Sequence, residues 1–172
     1  MWARAEGFAT LVLIILEQQV SVASAKAAFE KLRERVSEVT PEGVLSLTDE
    51  ELRAAYFSRQ KIIYARELAS AILEKRLRLD KLRRLTDEEI RAELVKIKGI
   101  GRWTADIYLL MAMRRPDVMP RGDLALHVAW QRLKKLDTKP TADEFLLLAE
   151  RWKPLRSVAA RLLWHYYLNF RL

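Results

Sequence analysis

Three short patterns of one kind constrain the fold more than anything else in this chain: Thr48-Asp-Glu-Glu51, Thr86-Asp-Glu-Glu89 and Thr141-Ala-Asp-Glu144. In each, the threonine hydroxyl can accept the amide three residues on, while the glutamate reaches back to the threonine's own amide. This is the reciprocal capping box that opens an α-helix. Apolar residues at helical spacing follow each box, such as Ile90, Leu94 and Ile97 after Thr86. The same periodicity predicts further helices over residues 8–18, 22–37, 60–77, 103–114, 124–136 and 155–170. No stretch alternates with period two between hairpin turns, and five glycines and five prolines in 172 residues leave little turn material for a β-sandwich. The expected class is all-α.

Breaks between helices follow from glycine and proline. Pro41-Glu42-Gly43 and Lys139-Pro140 read as loops. The longest irregular stretch is 114–122, where Pro116 and Pro120 each disfavour helix at the preceding residue. It is the expected hinge between a larger N-terminal lobe, residues 1–115, and a smaller C-terminal lobe, 116–172, the two forming one unit. A chain of this length suffices for one domain or two apposed lobes.

The net charge of +8 favours an anionic partner, and nucleic acid is the usual one; the alternative is a solvated surface rich in arginine and glutamate. The absence of cysteine excludes a disulfide framework, a thiolate zinc site and a cysteine-ligated iron–sulfur cluster. The apolar run 8–16 is far shorter than the roughly 20 residues of a membrane span, and the chain does not open on a secretory pattern. The expectation is an intracellular protein (cytoplasm, nucleoid or nucleus) without a membrane partner.

Three of the five glycines fall between positions 99 and 122. An amphipathic helix runs into Gly99-Ile100-Gly101 and another begins at once. Gly99 can supply a positive φ that ends the first helix. Gly101 removes a side chain where the amides opening the next helix face outward, and such amides bind phosphate without reading a base. Ile100 would anchor the hairpin, while Lys96, Lys98 and Arg102 add attraction for a phosphate backbone. A plain tight turn with glycine at the helix end is the simpler alternative. Further on, Asp123 precedes the apolar pattern Leu124, Leu126, Val128, and by residue chemistry alone it is a helix N-cap.

Taken together, the string from Leu94 to Ala105, the Pro/Gly-containing loop and Asp123 resemble the signature of the helix-hairpin-helix (HhH-GPD) DNA glycosylase superfamily. Within it the chain is most similar to the 3-methyladenine, or alkylpurine, DNA glycosylases. That similarity runs from Ile15-Leu-Glu-Gln-Gln-Val-Ser-Val22 to Glu150-Arg-Trp-Lys-Pro-Leu-Arg-Ser157 and Trp164. The resemblance implies two helical lobes with an active-site cleft between them. It implies an enzyme of the DNA-3-methyladenine glycosylase II type, acting in base excision repair on double-stranded DNA with damaged bases. Such an enzyme flips an alkylated purine from the stack and hydrolyses its N-glycosidic bond.

By the same resemblance Asp123 is the catalytic carboxylate, and Lys98, Gly99, Ile100, Gly101, Arg102 and Thr104 bind DNA. Trp103, Trp164, Ile107 and Leu124 line the base pocket, the last two standing where the best-known bacterial pattern has tyrosines. Gln19 is the wedge that fills the gap left in the duplex. Relatives that also cut the strand carry a Schiff-base lysine early in the second hairpin helix. Trp103 occupies that position here, so base removal without strand cleavage is expected. No cofactor is required, a potassium or sodium ion could sit on hairpin carbonyls, and a monomer is expected. The isolated His127 and His165 do not make a metal site, and Arg156 and Ser157 read as local structural support. The rival from a different class is a non-enzymatic helix-hairpin-helix DNA-binding module; an adenine-mismatch or oxidised-pyrimidine glycosylase is disfavoured by the missing cysteines and hairpin lysine.

Overall fold

The structure is a computed structural model that describes residues 3–170. Among them lie eleven α-helices and no strand: α1 (Phe8–Glu17), α2 (Val22–Arg35), α3 (Pro41–Ser46), α4 (Asp49–Ala54), α5 (Arg59–Leu73), α6 (Leu79–Leu82), α7 (Asp87–Val95), α8 (Arg102–Met111), α9 (Leu124–Lys134), α10 (Ala142–Ala149) and α11 (Arg156–Asn169). A 3-10 turn, Glu150–Trp152, follows α10.

All three capping boxes form, opening α4, α7 and α10. In each, the backbone amide of the cap threonine holds its glutamate (Glu51, Glu89 and Glu144) below the usual carboxylate range. Pro41-Glu42-Gly43, expected as a loop, instead begins α3. Thr40 accepts the Gly43 amide as N-cap, and proline at the first helical position gives up only an amide that has no partner there. Several helices stop short of their expected ends, and α5, α8 and α9 do so ahead of a left-handed residue. The α5 helix ends at Leu73 because Lys75 turns left-handed at φ 60°, and Arg114 at φ 55° closes the region after α8. Lys135 at φ 52° closes α9, with the Leu136 amide returning to the Gln131 carbonyl.

Apolar almost all round, α1 is the axle of the larger lobe. Leu11, Val12, Ile14 and Ile15 are wholly buried, and the helix packs on α2, α5 and α8. Its entry is tied to α8, where the Tyr108 hydroxyl accepts the Gly7 amide at 2.9 Å. In the smaller lobe α9 packs on α11. An aromatic group holds α10 and the 3-10 turn to α9: Trp130 meets Trp152 edge-on at 5.3 Å between centroids, and Phe145 meets Trp152 at 6.3 Å.

The segment 114–122 is irregular, as expected, but firmly pinned. Ser157 Oγ donates to the Arg115 carbonyl at 2.6 Å and accepts the Val118 amide at 3.0 Å. Arg156 grips the Asp117 carboxylate with Nε at 2.8 Å and Nη2 at 3.0 Å. Arg156 and Ser157 therefore supply the local support expected of them. The pinned segment delivers Asp123 to the head of α9.

Candidate active site

Asp123 caps α9 and does more. Its Oδ1 accepts the Leu126 amide at 3.1 Å and the Trp164 indole N–H at 3.1 Å, while Oδ2 accepts the Trp103 indole N–H at 2.9 Å. Only 7% of the residue is exposed. All three partners donate, and an ionised carboxylate, which only accepts, is what they match. Three helices contribute: α8 brings Trp103, α9 its own amide and α11 Trp164. The cap and the catalytic candidate are thus one side chain, held in one place by groups 20 and 41 residues away.

The indoles are used differently from a simple aromatic lining. Their N–H edges are committed to Asp123. Trp103 is part-exposed while Trp164 is buried. Leu124, next to Asp123, is 59% exposed, but Ile107, one turn beyond Trp103, is 2% exposed and belongs to the core. Of the four expected pocket residues, the structure joins Trp103 and Trp164 through the carboxylate and turns Ile107 inward.

His127 lies one turn along α9, its Nδ1–H donating to the Pro140 carbonyl at 3.0 Å and its ring 4.7 Å from that of Phe145. Its Nε2 is buried without a partner among the described residues, and burial pushes the imidazole down from its ordinary pKa. Among the described residues no cluster of three or more His, Asp or Glu side chains could hold a metal ion.

At the hairpin, the two glycines differ. Gly99 has φ 95°, and a Cβ there would overlap the Tyr64 ring, so the fold itself demands glycine. Gly101 has φ −91°, caps α8 without a side chain, and a Cβ there would meet open space. Nothing among the described residues requires glycine at 101. Its bareness exposes the opening amides of α8, where the helix dipole favours an anion. Ile100 is buried as the anchor. Lys98 is exposed and, among the described residues, forms no ion pair, whereas Lys96 is paired with Glu93 and Arg102 with Glu88.

The Thr104 side chain faces inward. The residue is 2% exposed, and its hydroxyl accepts Gln18 Nε2 at 3.0 Å, so it braces the hairpin from within. The same Gln18 amide donates to the Gly99 carbonyl at 2.8 Å. Gln18 was missed in the sequence, although it continues the buried face Leu11, Ile14, Ile15 of α1 at helical spacing. Gln19, the expected wedge, follows directly, exposed and left-handed at φ 57° in the turn between α1 and α2. The Gly99 carbonyl takes Gln18 and the Ile97 carbonyl takes the Ile100 amide. Each oxygen retains a second lone pair that a monovalent cation at the hairpin would use.

The family model for the HhH-GPD superfamily of base excision DNA repair proteins matches residues 12–154. DNA-3-methyladenine glycosylase 1 of Schizosaccharomyces pombe is 32% identical over 163 residues, covering 92% of this chain and 72% of that protein. A putative DNA-3-methyladenine glycosylase of Bacillus subtilis is 36% identical over 124 residues, or 72% of this chain; the match spans only 43% of that relative's length. Among solved structures, the S. pombe 3-methyladenine DNA glycosylase in complex with abasic DNA has a TM-score of 0.86 at 32% identity, covering 91% of this chain and 78% of that one. DNA-3-methyladenine glycosidase from Bacillus halodurans has a TM-score of 0.81 at 28% identity, covering 99% and 80%. With the family model spanning most of its length and the hairpin and loop aspartate both formed, this chain belongs to the HhH-GPD superfamily of base excision DNA repair proteins.

Proposed function

We propose that this chain is a monofunctional DNA glycosylase of the 3-methyladenine type, releasing alkylated purines from duplex DNA and leaving an abasic site. The observation that carries the reading is the Asp123 carboxylate, fixed at a helix N-terminus by the indole N–H groups of Trp103 and Trp164. The hairpin amides at Gly101 and the free ammonium of Lys98 hold backbone phosphates, while Gln19 fills the space left by the extruded base.

Chemistry follows from what this carboxylate can do. As the bond between C1′ and the purine nitrogen breaks, positive charge grows on the sugar, and a fixed carboxylate stabilises it electrostatically. Water adds to C1′ and releases a proton, for which Asp123 is the nearby acceptor. An alkylated purine already carries positive charge, so it departs as a neutral base with the bonding electrons and needs no acid to protonate it. The part-exposed Trp103 indole suits such a cationic base through cation–π attraction. Trp103 stands where a Schiff-base lysine would be needed to cut the strand.

The test is a single-turnover assay on duplexes holding single alkylated, deaminated or etheno bases, read before and after alkali. Release of alkylpurines with strand breaks appearing only after alkali is expected. Tight duplex binding with no base released from any substrate would establish a DNA-binding module instead, and strand cleavage without alkali would refute the monofunctional reading.

A further inference from the structure

Asp106 is a charged residue inside an otherwise apolar stretch of α8, Ala105 to Leu110, and only 1% of it is exposed. Its Oδ1 accepts Arg91 Nε from α7 at 2.6 Å, and its Oδ2 accepts the Arg121 backbone amide at 3.3 Å. Burial pushes this carboxyl above its ordinary range, against the pull of the Arg91 guanidinium, the Arg121 amide and the more distant Arg102. A buried ion pair is seldom the most stable way to fill such a site, since an apolar side chain of similar size often does as well or better. Ile90 and Leu94 on α7 are already wholly buried in the core. What an apolar residue could not do is hold an amide of the loop.

That amide matters for its place. The clamps from Arg156 and Ser157 fall on residues 115–118, the first half of the 114–122 segment. Asp106 reaches the second half, two residues before Asp123. On the other side, Arg91 also donates to Glu88 at 3.0 Å, and Glu88 is shared with Arg102 at 3.2 Å. A continuous run of polar contacts thus leads from the hairpin's arginine to the backbone that carries the carboxylate.

We propose that Asp106 is a positioning residue for base excision. From the second hairpin helix it fixes the Arg121 amide, so the element that grips phosphate also sets where Asp123 stands. The proposal rests on Asp123 being the catalytic carboxylate.

The test compares Asp106→Asn with wild type in the full chain, measuring single-turnover release of an alkylpurine and the Kd for an abasic duplex. Asparagine keeps one oxygen acceptor but sets an NH2 donor against either Arg91 or the Arg121 amide, so one contact is lost. Release is expected to fall by about tenfold or more, the effect of misplacing a reacting group by a fraction of an ångström, while Kd changes less than twofold. A merely structural residue would move melting temperature and Kd together with rate. Release within twofold of wild type, or a Kd that weakens as much as the rate falls, overturns the proposal. Should the asparagine variant not fold, Arg91→Lys carries the same test, because lysine keeps the charge but loses the Nε–H aimed at Oδ1; an unchanged rate there is equally fatal. A wild-type protein that releases no base overturns both this inference and the proposed function. A wild type that does, beside an Asp106→Asn variant that matches it, overturns this inference alone.

Discussion

The hairpin and the aspartate cage solve opposite problems. The hairpin presents backbone: Gly101 offers bare amides, Gly99 turns the chain, and the working groups lie within a few consecutive residues. The cage presents a side chain, and its donors come from α8, α9 and α11, brought together only by the complete fold. A grip built from consecutive backbone withstands change everywhere except at its glycines. A carboxylate held by distant partners is sensitive to each of them. Binding and chemistry should therefore separate cleanly under mutation.

The sharpest way to break that separation is Asp123→Asn. Asparagine can still cap α9 through its oxygen, but its NH2 group faces an indole N–H where a carboxylate oxygen accepted one. Single-turnover excision is expected to fall by about 100-fold or more, the scale of losing one fixed electrostatic stabiliser. Affinity for an abasic duplex should stay within about twofold. Wild-type-like release would remove Asp123 from the chemistry altogether.

Next in size is Gly99→Ala, which strikes the other region. The added Cβ meets the Tyr64 ring, and φ 95° is strained for alanine. Duplex affinity measured by fluorescence anisotropy should weaken by about tenfold, while the excision rate at saturating enzyme stays within a few-fold of wild type. A rate that collapses at saturation would mean that the two regions are not separable.

Trp103→Phe sharpens the cage by removing one N–H donor and keeping an aromatic ring. A hydrogen bond to a charged group is worth about 1.5–3 kcal/mol, of which part is recovered by water at this part-exposed residue. Roughly a tenfold loss of rate is expected, with lesion preference retained; no loss would make the indole a packing residue only. Smaller still, Lys98→Gln should reduce the slope of log Kd against log salt by about 0.9, one phosphate's share, with no effect on the rate at saturation.

The least effect concerns the scaffold beneath the cage. His127 is held neutral by burial, so its folded pKa lies below the unfolded value. The stability it contributes is present above about pH 6.5 and is lost as pH falls, at no more than about 1.4 kcal/mol per pH unit for one proton. Chemical denaturation of His127→Gln between pH 7 and 5 should show a flatter decline than wild type; parallel curves would exclude His127 as the titrating group.

Local rules made most of the helices legible. The three threonine–glutamate boxes, the Gly99 turn and the Asp123 cap each depend on residues within four positions. Where local rules stop, something longer in range or closer to the backbone decides. Pro41 was read as a breaker, but behind the Thr40 cap it starts a helix. Ile107 sits on the face of α8 that turns to the core, which depends on how α1 packs there. The indole contacts to Asp123 span 20 and 41 residues, and no spacing rule predicts an N–H edge rather than a ring face. Gln18 and Asp106 left a fainter trace, each a polar residue on a face otherwise apolar.

One contact remains to be followed outward. The Gln18 amide ties the turn that carries Gln19 to the Gly99 carbonyl of the hairpin. With Gln19 as the proposed wedge, the interval between held phosphate and inserted side chain becomes a fixed length, set by one hydrogen-bonded strut. The protein then behaves like a caliper laid on the duplex. On that reading it would choose which nucleotide to offer the pocket by counting steps from a phosphate, before any feature of the lesion is touched. Lengthening that turn by one residue should shift the register of the search without altering the chemistry.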